Sequence, residues 1–169
     1  MKRKQLTLFL DEKESKIIET VRKKYNPRQY ELIKSHITLC REDEIEDIRH
    51  IKRNLENLDV YKFVLLTNGL IRFSGGKGLL ISIIDKEQKF QKLRELVLQN
   101  EVSNPREHIA HITIMHPRNS ICDDTKFKEI QNFELPKKLG ISKISLIEQE
   151  IGKEWKTLKA YELKYKNES

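Results

Sequence analysis

The chain carries the same short motif twice, and each copy lies in a run of residues that is typical of a β-strand. The first copy reads SHITLC from residue 35, and the second reads AHITIM from residue 110. Their histidines, His36 and His111, are 75 positions apart. Side chains at alternate positions of a strand point to the same face. Each motif therefore predicts one imidazole beside one hydroxyl, that of Thr38 or Thr113, with isoleucines anchoring the opposite face in the core.

The residues around the motifs predict two similar halves. Hydrophobic spacing predicts helices over 11–25, 41–58, 86–99 and 123–133, and strands over 4–10, 30–40, 60–67, 70–74, 78–85, 105–117, 138–151 and 155–165. The last two strands form a predicted hairpin, and no Pro-rich or Ser-rich linker separates the halves. This order predicts a duplicated α+β fold, with two lobes joined through their sheets. We expect one domain over 1–169 with lobes of roughly 1–75 and 76–169, and leave open an exchange of terminal strands between the lobes.

Two histidines and two threonines in one groove would suit in-line displacement at a phosphodiester. A neutral imidazole can remove a proton from the attacking oxygen, and an imidazolium can protonate the departing one, because the ordinary pKa of histidine is about 6.5. The threonine hydroxyls can donate to the phosphate oxygens. We therefore predict His36 and His111 as catalytic residues and Thr38 and Thr113 as phosphate-binding residues. Neither a metal nor another cofactor is needed.

The net charge and the cysteine content bear on the expected partners and cellular location. The net charge of +7 favours a polyanionic partner such as nucleic acid, a nucleotide or an anionic membrane face, although a lysine-rich composition alone would give the same charge. Cys40 and Cys122 have no paired spacing, which argues against a disulfide framework or a zinc knuckle. With no membrane-spanning run and no secretory signal, we expect a cytoplasmic protein. We expect neither a membrane nor an obligate protein partner.

The segments KSHITLC and IAHITIM resemble the paired His-x-Thr/Ser signatures of the two-histidine (2H) phosphoesterase superfamily, which includes RNA 2′,5′-ligase-like proteins and cyclic phosphodiesterases of RNA ends. The approach segment VRKKYNPRQYELIKSHITL is also similar. The resemblance implies a bilobal fold with two antiparallel sheets flanking a central cleft and helices on the outside. It also implies metal-independent action on 2′,3′-cyclic or 2′,5′-linked phosphodiesters of RNA ends or nucleotides, and leaves open whether the reaction runs as hydrolysis or as ligation. The sequence departs from the family where CREDE follows the first motif, since a proline is common there.

Four further residues are candidate substrate contacts. Arg41 and Arg118 follow the two motifs, although solvated arginines at the start of a helix or loop are equally common. Lys77 lies in SGGKG, which lacks the full phosphate-loop spacing and is more typical of a hairpin turn. Tyr30 is one of three candidate base-stacking aromatics, with Trp155 and Tyr161.

Two further histidines, His108 and His116, lie close to the second motif. His116 is predicted to be a turn residue before Pro117, and a position in the wall of the cleft stays open. His108 is out of phase with His111, so a zinc site of these three histidines is not favoured. Two alternatives to catalysis stay open at this point. One is a module that binds RNA ends or nucleotides without turnover, and the other is a structural protein whose repeat reflects packing alone.

Overall fold

The computed structural model describes residues 1–103 and 105–166 of the chain. It contains eight β-strands: β1 (Lys2–Phe9), β2 (His36–Cys40), β3 (Phe63–Phe73), β4 (Gly78–Ile84), β5 (His111–Met115), β6 (Lys138–Ile141), β7 (Lys143–Glu150) and β8 (Lys156–Glu162). The α-helices are α1 (Glu12–Tyr25), α2 (Pro27–Leu32), α3 (Ile48–Glu56), α4 (Lys89–Leu98) and α5 (Asp124–Gln131), and a single 3-10 turn spans Glu42–Glu44.

All eight strands belong to one sheet, in the order β6-β3-β4-β5-β2-β1-β7-β8, and every neighbouring pair is antiparallel. The order is symmetric about the β5–β2 pair, as the repeated motif predicted. Two sheets were expected from the sequence. Four strands do lie on each side of the centre, but the pairing of Ile37 with Ile112 joins them into one hydrogen-bonded sheet.

One hydrophobic core covers the face of the central strands that carries the isoleucines. Ile37 and Ile112 are fully buried there, and Ile18 of α1 and Val97 of α4 belong to the same core. Helix α1 contacts β5 and helix α4 contacts β2, so each helix packs across the centre onto the strand of the other motif. Burying a side chain of this size contributes roughly 1.5–3 kcal/mol. The opposite face of the two central strands is left for the polar residues of the motifs.

Helix α1 follows directly from the sequence. Its first turn contains Glu12 and Glu14, and its last turn contains Arg22, Lys23 and Lys24. Acidic residues near the N-terminus and basic residues near the C-terminus both stabilise the helix dipole. The predicted helix over 11–25 is confirmed to within one residue.

Several predicted boundaries were wrong. The strands expected over 30–40 and 105–117 begin only at His36 and His111, and α2 occupies the first residues of the former range. The helix expected over 41–58 is a 3-10 turn followed by α3, because Asp47 caps α3 by accepting hydrogen bonds from the backbone N–H groups of Arg49 and His50. The strands expected over 60–67 and 70–74 are one strand, β3, in which Gly69 adopts φ = +80° at an irregularity in the register. The strand expected over 138–151 is divided into β6 and β7.

Two predicted turns are confirmed. The SGGKG segment closes the β3–β4 hairpin, with Phe73 opposite Gly78. Strands β7 and β8 form the predicted hairpin at the C-terminal end of the described chain. Among the residues that the structure describes, no helix is both long enough and apolar enough to cross a membrane.

Candidate active site

The two motifs lie side by side in the middle of the sheet. In the antiparallel pairing of β2 with β5, Ile37 is opposite Ile112, and this register sets His36 opposite Thr113 and Thr38 opposite His111. Both strands have the same burial pattern, with histidine and threonine half-buried and the intervening isoleucines buried. Diagonal neighbours across such a pair, such as His36 and His111, are about 7–8 Å apart, with their Cβ atoms somewhat closer. The two imidazoles and two hydroxyls therefore share one face.

The two imidazoles are held by the same kind of hydrogen bond. Nδ1 of His36 lies 2.8 Å from the carbonyl oxygen of Lys34, and Nδ1 of His111 lies 2.8 Å from that of Ile109. A carbonyl can only accept, so each Nδ1 carries a hydrogen and donates it. In the neutral form, Nε2 of each ring then has a free lone pair, and in the charged form it carries the second proton. Each ring is thus prepared to exchange a proton at Nε2.

A buried arginine holds the segment that precedes the first motif. Nη2 of Arg22, on α1, donates to the carbonyl of Ile33 at 2.8 Å. Its Nη1 donates to Glu19, whose carboxylate accepts a hydrogen bond from the backbone N–H of Ser35 at 2.5 Å. These bonds fix both sides of residue 34, whose carbonyl orients His36.

A second buried arginine bonds to the first motif strand and to the segment that leads into the second. Arg94 of α4 donates to the carbonyl of Leu39, to the Glu44 carboxylate at 2.7 Å and to the carbonyl of Arg106 at 3.0 Å. Burial raises the pKa of Glu44, but the hydrogen bond from Arg94 and the backbone bond from Arg41 outweigh burial and hold that pKa at about 2. Arg94 thus connects the segment after β2 to the segment before β5.

Burial makes His36 a weak base. It lowers the pKa of His36 to about 4. The bond to the Lys34 carbonyl opposes this shift, and the positive charge of Arg22 and the proximity of His111 add to it. His36 is therefore neutral at neutral pH, with an unprotonated Nε2.

His108 packs between the motifs although it belongs to neither. Its ring centroid lies 5.9 Å from that of His111, and its Nε2 donates to the carbonyl of Thr38 at 3.1 Å. Burial lowers its pKa to about 4, and the charge of Arg94 acts in the same direction. A neutral His108 can pack between the motifs without placing a charge beside His111.

Thr38 has a partner that the sequence analysis did not identify. Nε2 of Gln5, on β1, donates to the hydroxyl oxygens of Thr7 at 2.8 Å and Thr38 at 3.1 Å. Because the hydroxyl oxygen of Thr38 accepts from Gln5, its hydrogen can point to a ligand. Nothing local to the β1 sequence marks Gln5, since its role depends on the pairing of β1 with β2.

The polar face forms a groove of about 770 Å³. Its lining contains three of the four motif residues together with basic, acidic and aromatic side chains: Arg3, Lys4, Gln5, Thr38, Arg41, Glu42, Asp43, Phe73, Leu80, His111, Thr113, His116, Arg118 and Trp155. His36 lies beside it as the diagonal neighbour of His111.

The structure brings two of the four candidate substrate contacts to this groove. Arg41 and Arg118 both line it. Lys77 lies in the β3–β4 turn, outside the lining of the groove. Tyr30 lines a separate cavity beside α1 and lies under the ammonium of Lys23 at 5.9 Å.

His116 begins a turn, as predicted, because its carbonyl accepts from the backbone N–H of Asn119 at 2.9 Å, and its side chain also lines the groove. It follows the last residue of β5, and its ring packs edge-on against Phe73 with centroids 5.7 Å apart. Its Nδ1 accepts from the backbone N–H and Nε of Arg118, both at 3.3 Å. Burial and the charge of Arg118 lower its pKa. His116 follows His111 by the same number of residues as Arg41 follows His36, so His116 is the counterpart of Arg41.

Within residues 1–103 and 105–166, no three His, Cys, Asp or Glu side chains are grouped so that they could hold a metal ion. This includes the set of His108, His111 and His116 that the sequence did not favour.

Solved structures with the same architecture identify the fold. The apo form of E. coli LigT superposes with a TM-score of 0.67 at 13% identity, over 96% of this chain and 97% of LigT. The chain has the LigT fold. A protein described as a phosphoesterase gives a TM-score of 0.65 at 12% identity, over 96% of this chain and 99% of that one. The TT0787 protein of Thermus thermophilus gives 0.62 at 14% identity, over 98% and 100%.

The LigT fold is what the resemblance in the two motifs implied, and that expectation is confirmed. At the level of sequence, no family model matches the chain, and no curated protein matches it. The likeness is therefore one of architecture.

Proposed function

We propose that this chain is a two-histidine phosphoesterase, a metal-independent phosphodiesterase that acts on 2′,3′-cyclic or 2′,5′-linked phosphodiesters of RNA ends or nucleotides. The observation that carries the proposal is the facing pair of His-Thr motifs on β2 and β5. Both histidines donate from Nδ1 to a backbone carbonyl and keep Nε2 for proton exchange. Packing alone does not require two imidazoles in the same orientation on a polar face.

In hydrolysis of a 2′,3′-cyclic phosphate, His36 acts as the base. Its neutral Nε2 takes a proton from water as the water oxygen forms a bond to phosphorus. The bond from phosphorus to one ribose oxygen breaks, and the imidazolium of His111 donates its Nε2 proton to that oxygen. The low pKa of His36, about 4, supports this assignment, because His36 is unprotonated when the reaction starts. A 2′,5′ linkage is cleaved in the same way, with the 5′ oxygen leaving.

The threonines stabilise the charge on the phosphate oxygens. Thr38 donates its hydroxyl hydrogen to one non-bridging oxygen, and the bond from Gln5 keeps its oxygen in place. Thr113, opposite His36, donates to another. Donors aimed at the developing charge stabilise the transition state more than the ground state.

The solved complexes of E. coli LigT support an anionic nucleotide as ligand. That protein has been solved with phosphate and with 3′-AMP, at TM-scores of 0.65 and 0.66 and 14% identity to this chain. Here Arg41 and Arg118 line a groove of about 770 Å³, and their charges would attract a phosphate. We propose a cytoplasmic enzyme that needs no protein partner.

A substrate panel with EDTA present tests the proposal. The panel contains a 2′,3′-cyclic nucleotide, a 2′,5′-linked dinucleotide and a 3′,5′-linked dinucleotide as control. We expect turnover of the first or second substrate, no turnover of the third, and no effect of EDTA. Tight stoichiometric binding of unreacted cyclic phosphate would instead favour the non-catalytic binding module, and activity abolished by EDTA would contradict metal independence.

A further inference from the structure

One end of the groove carries an arginine stacked on a tryptophan. The guanidinium carbon of Arg3 lies 5.0 Å from the ring centroid of Trp155, and both side chains are half-buried in the lining of the groove. We call this pair the Arg3–Trp155 platform. Flat guanidinium and indole surfaces are the groups on which nucleic-acid bases stack.

The platform is held rigidly by its neighbours. Nε and Nη2 of Arg3 donate to Oε1 of Gln149 at 2.9 and 2.6 Å. Gln149 is buried and donates in turn to the carbonyl of Lys153 at 2.5 Å. The backbone N–H of Trp155 donates to the carbonyl of Leu32 at 2.9 Å. A ligand that stacks here would therefore lose little free energy to ordering the protein.

On β1, Arg3 of the platform lies two residues before Gln5, which contacts the phosphate-binding hydroxyl of Thr38. Arg3 and Gln5 point to the same face of β1, and Gln5 contacts Thr38. Two residues along a strand span about 7 Å, which is a distance of the order of one nucleotide. A chain of nucleotides bound at the motifs would reach the platform with its next base.

The other end of the groove carries a second aromatic pair. Phe73 and His116 lie where the end of β5 meets the β3–β4 hairpin, whereas Arg3 lies beyond the end of β2, past the pairing of Leu6 with Cys40. Because β2 and β5 are antiparallel, these two ends are opposite. The catalytic residues thus lie between two aromatic surfaces, and a mononucleotide can use only one of them.

We propose that the Arg3–Trp155 platform binds a second nucleobase, so that the site prefers an oligonucleotide end to a mononucleotide. This inference rests on the proposed function, since it assigns a substrate class to the same groove. Basic side chains beside the platform, Lys4 and Arg41, also line the groove and would attract the backbone phosphate that links the two nucleotides.

The kinetic test compares a 2′,3′-cyclic mononucleotide with a trinucleotide that ends in the same cyclic phosphate. In Trp155→Leu we expect kcat/KM for the trinucleotide to fall about 5- to 100-fold, because a base stacked on an aromatic ring is worth about that much. The mononucleotide should be affected less than about twofold. Tyr165→Leu is the matched control, since Tyr165 is an exposed aromatic under the ammonium of Lys62 at 3.4 Å, away from the groove. An equal loss for both substrates, or no loss for the trinucleotide, would overturn the proposal.

A fluorescence titration separates this inference from the proposed function. Trp155 is the only tryptophan in the chain, so its emission reports on the platform without turnover. We expect a trinucleotide with a 3′-phosphate to quench it saturably, at concentrations where the matching mononucleotide leaves it unchanged. Quenching without turnover of any substrate would retain the platform and reject the phosphodiesterase. Turnover with no quenching by the trinucleotide would retain the phosphodiesterase and reject the platform.

Discussion

Ile37 lies opposite Ile112 in the single residue pair that joins β2 to β5. This contact places the two motifs on neighbouring strands and fixes which side chains face each other. Because both isoleucines are fully buried, a slip by one residue would turn a histidine and a threonine into the core. The register of one apolar pair therefore determines the geometry of the whole polar face.

The hydroxyls of Thr38 and Thr113 should matter for the reaction and little for stability. Replacing either by valine keeps the shape of the side chain and removes the donor. We expect kcat to fall on the order of 10²-fold, as with other single donors to developing charge, with KM changed less. Steady-state kinetics of Thr38→Val and Thr113→Val would measure this, with the exposed Thr157→Val on β8 as control. Full activity in both variants would contradict the phosphate-binding role.

On the acid side of the pH–rate profile, the rise in rate with pH should reflect the pKa of His36. Burial lowers the pKa of His36 to about 4, so the base stays unprotonated down to that pH. The rising limb of kcat/KM, which reflects the free enzyme, should have its midpoint near pH 4 and well below the ordinary 6.5. A rising limb centred at the ordinary value, with chemistry shown to limit the rate, would contradict His36 as the base.

Stability should fall as the pH drops from about 6.5 towards 4. His36 and His108 both have folded pKa values of about 4, whereas the unfolded chain takes up protons near about 6.5. Their neutral forms thus favour the folded state fully above that unfolded pKa, and this contribution is lost as the pH falls through the folded pKa. Urea unfolding between about pH 7 and pH 5 would measure the decline, and His108→Gln should reduce its slope. That window avoids Glu44, whose folded pKa is about 2. A stability independent of pH over the window would contradict the account.

Arg94 and Glu44 should be strongly coupled. Both are buried, and removal of Arg94 leaves Glu44 with the exposed Arg106, at 3.3 Å, as its remaining charged partner. Breaking a buried ion pair typically costs about 3–5 kcal/mol. We expect Arg94→Met to lose about this much unfolding free energy and the double variant with Glu44→Leu to recover part of it. Lys159→Met, which removes an exposed ion pair with Glu56, should leave the stability unchanged. An Arg94→Met variant as stable as the wild type would show that the pair is not structural.

What the sequence could and could not predict has a physical basis. His36, Thr38, His111 and Thr113 were predictable because strand alternation is local and the motif occurs twice. Gln5 was not, because its contact with Thr38 depends on the pairing of strands that lie more than thirty residues apart.

The same distinction applies to the remaining differences. Trp155 was one of three aromatic candidates, and only the approach of β1 to β7 brings Arg3 against it. His116 was predicted to be a turn residue because it precedes Pro117, and it does begin a turn. Its place in the groove depends on the Phe73 ring across the hairpin. The strands expected over 60–67 and 70–74 were separated at Asn68-Gly69, but a glycine with a positive φ is equally suited to a bulge within one strand.

Activity of the two histidine variants tests the central claim most directly. We expect His36→Ala and His111→Ala each to lose about 10²- to 10⁴-fold in kcat on the best substrate of the panel. The double variant should lose little more than the less active single variant, because the two groups act in one step. His50→Ala, in which a histidine of α3 that bonds to the Gln99 carbonyl is removed, should retain full activity. A folded double variant whose activity stays within about tenfold of the wild type would contradict the claim that the two motifs form one catalytic site.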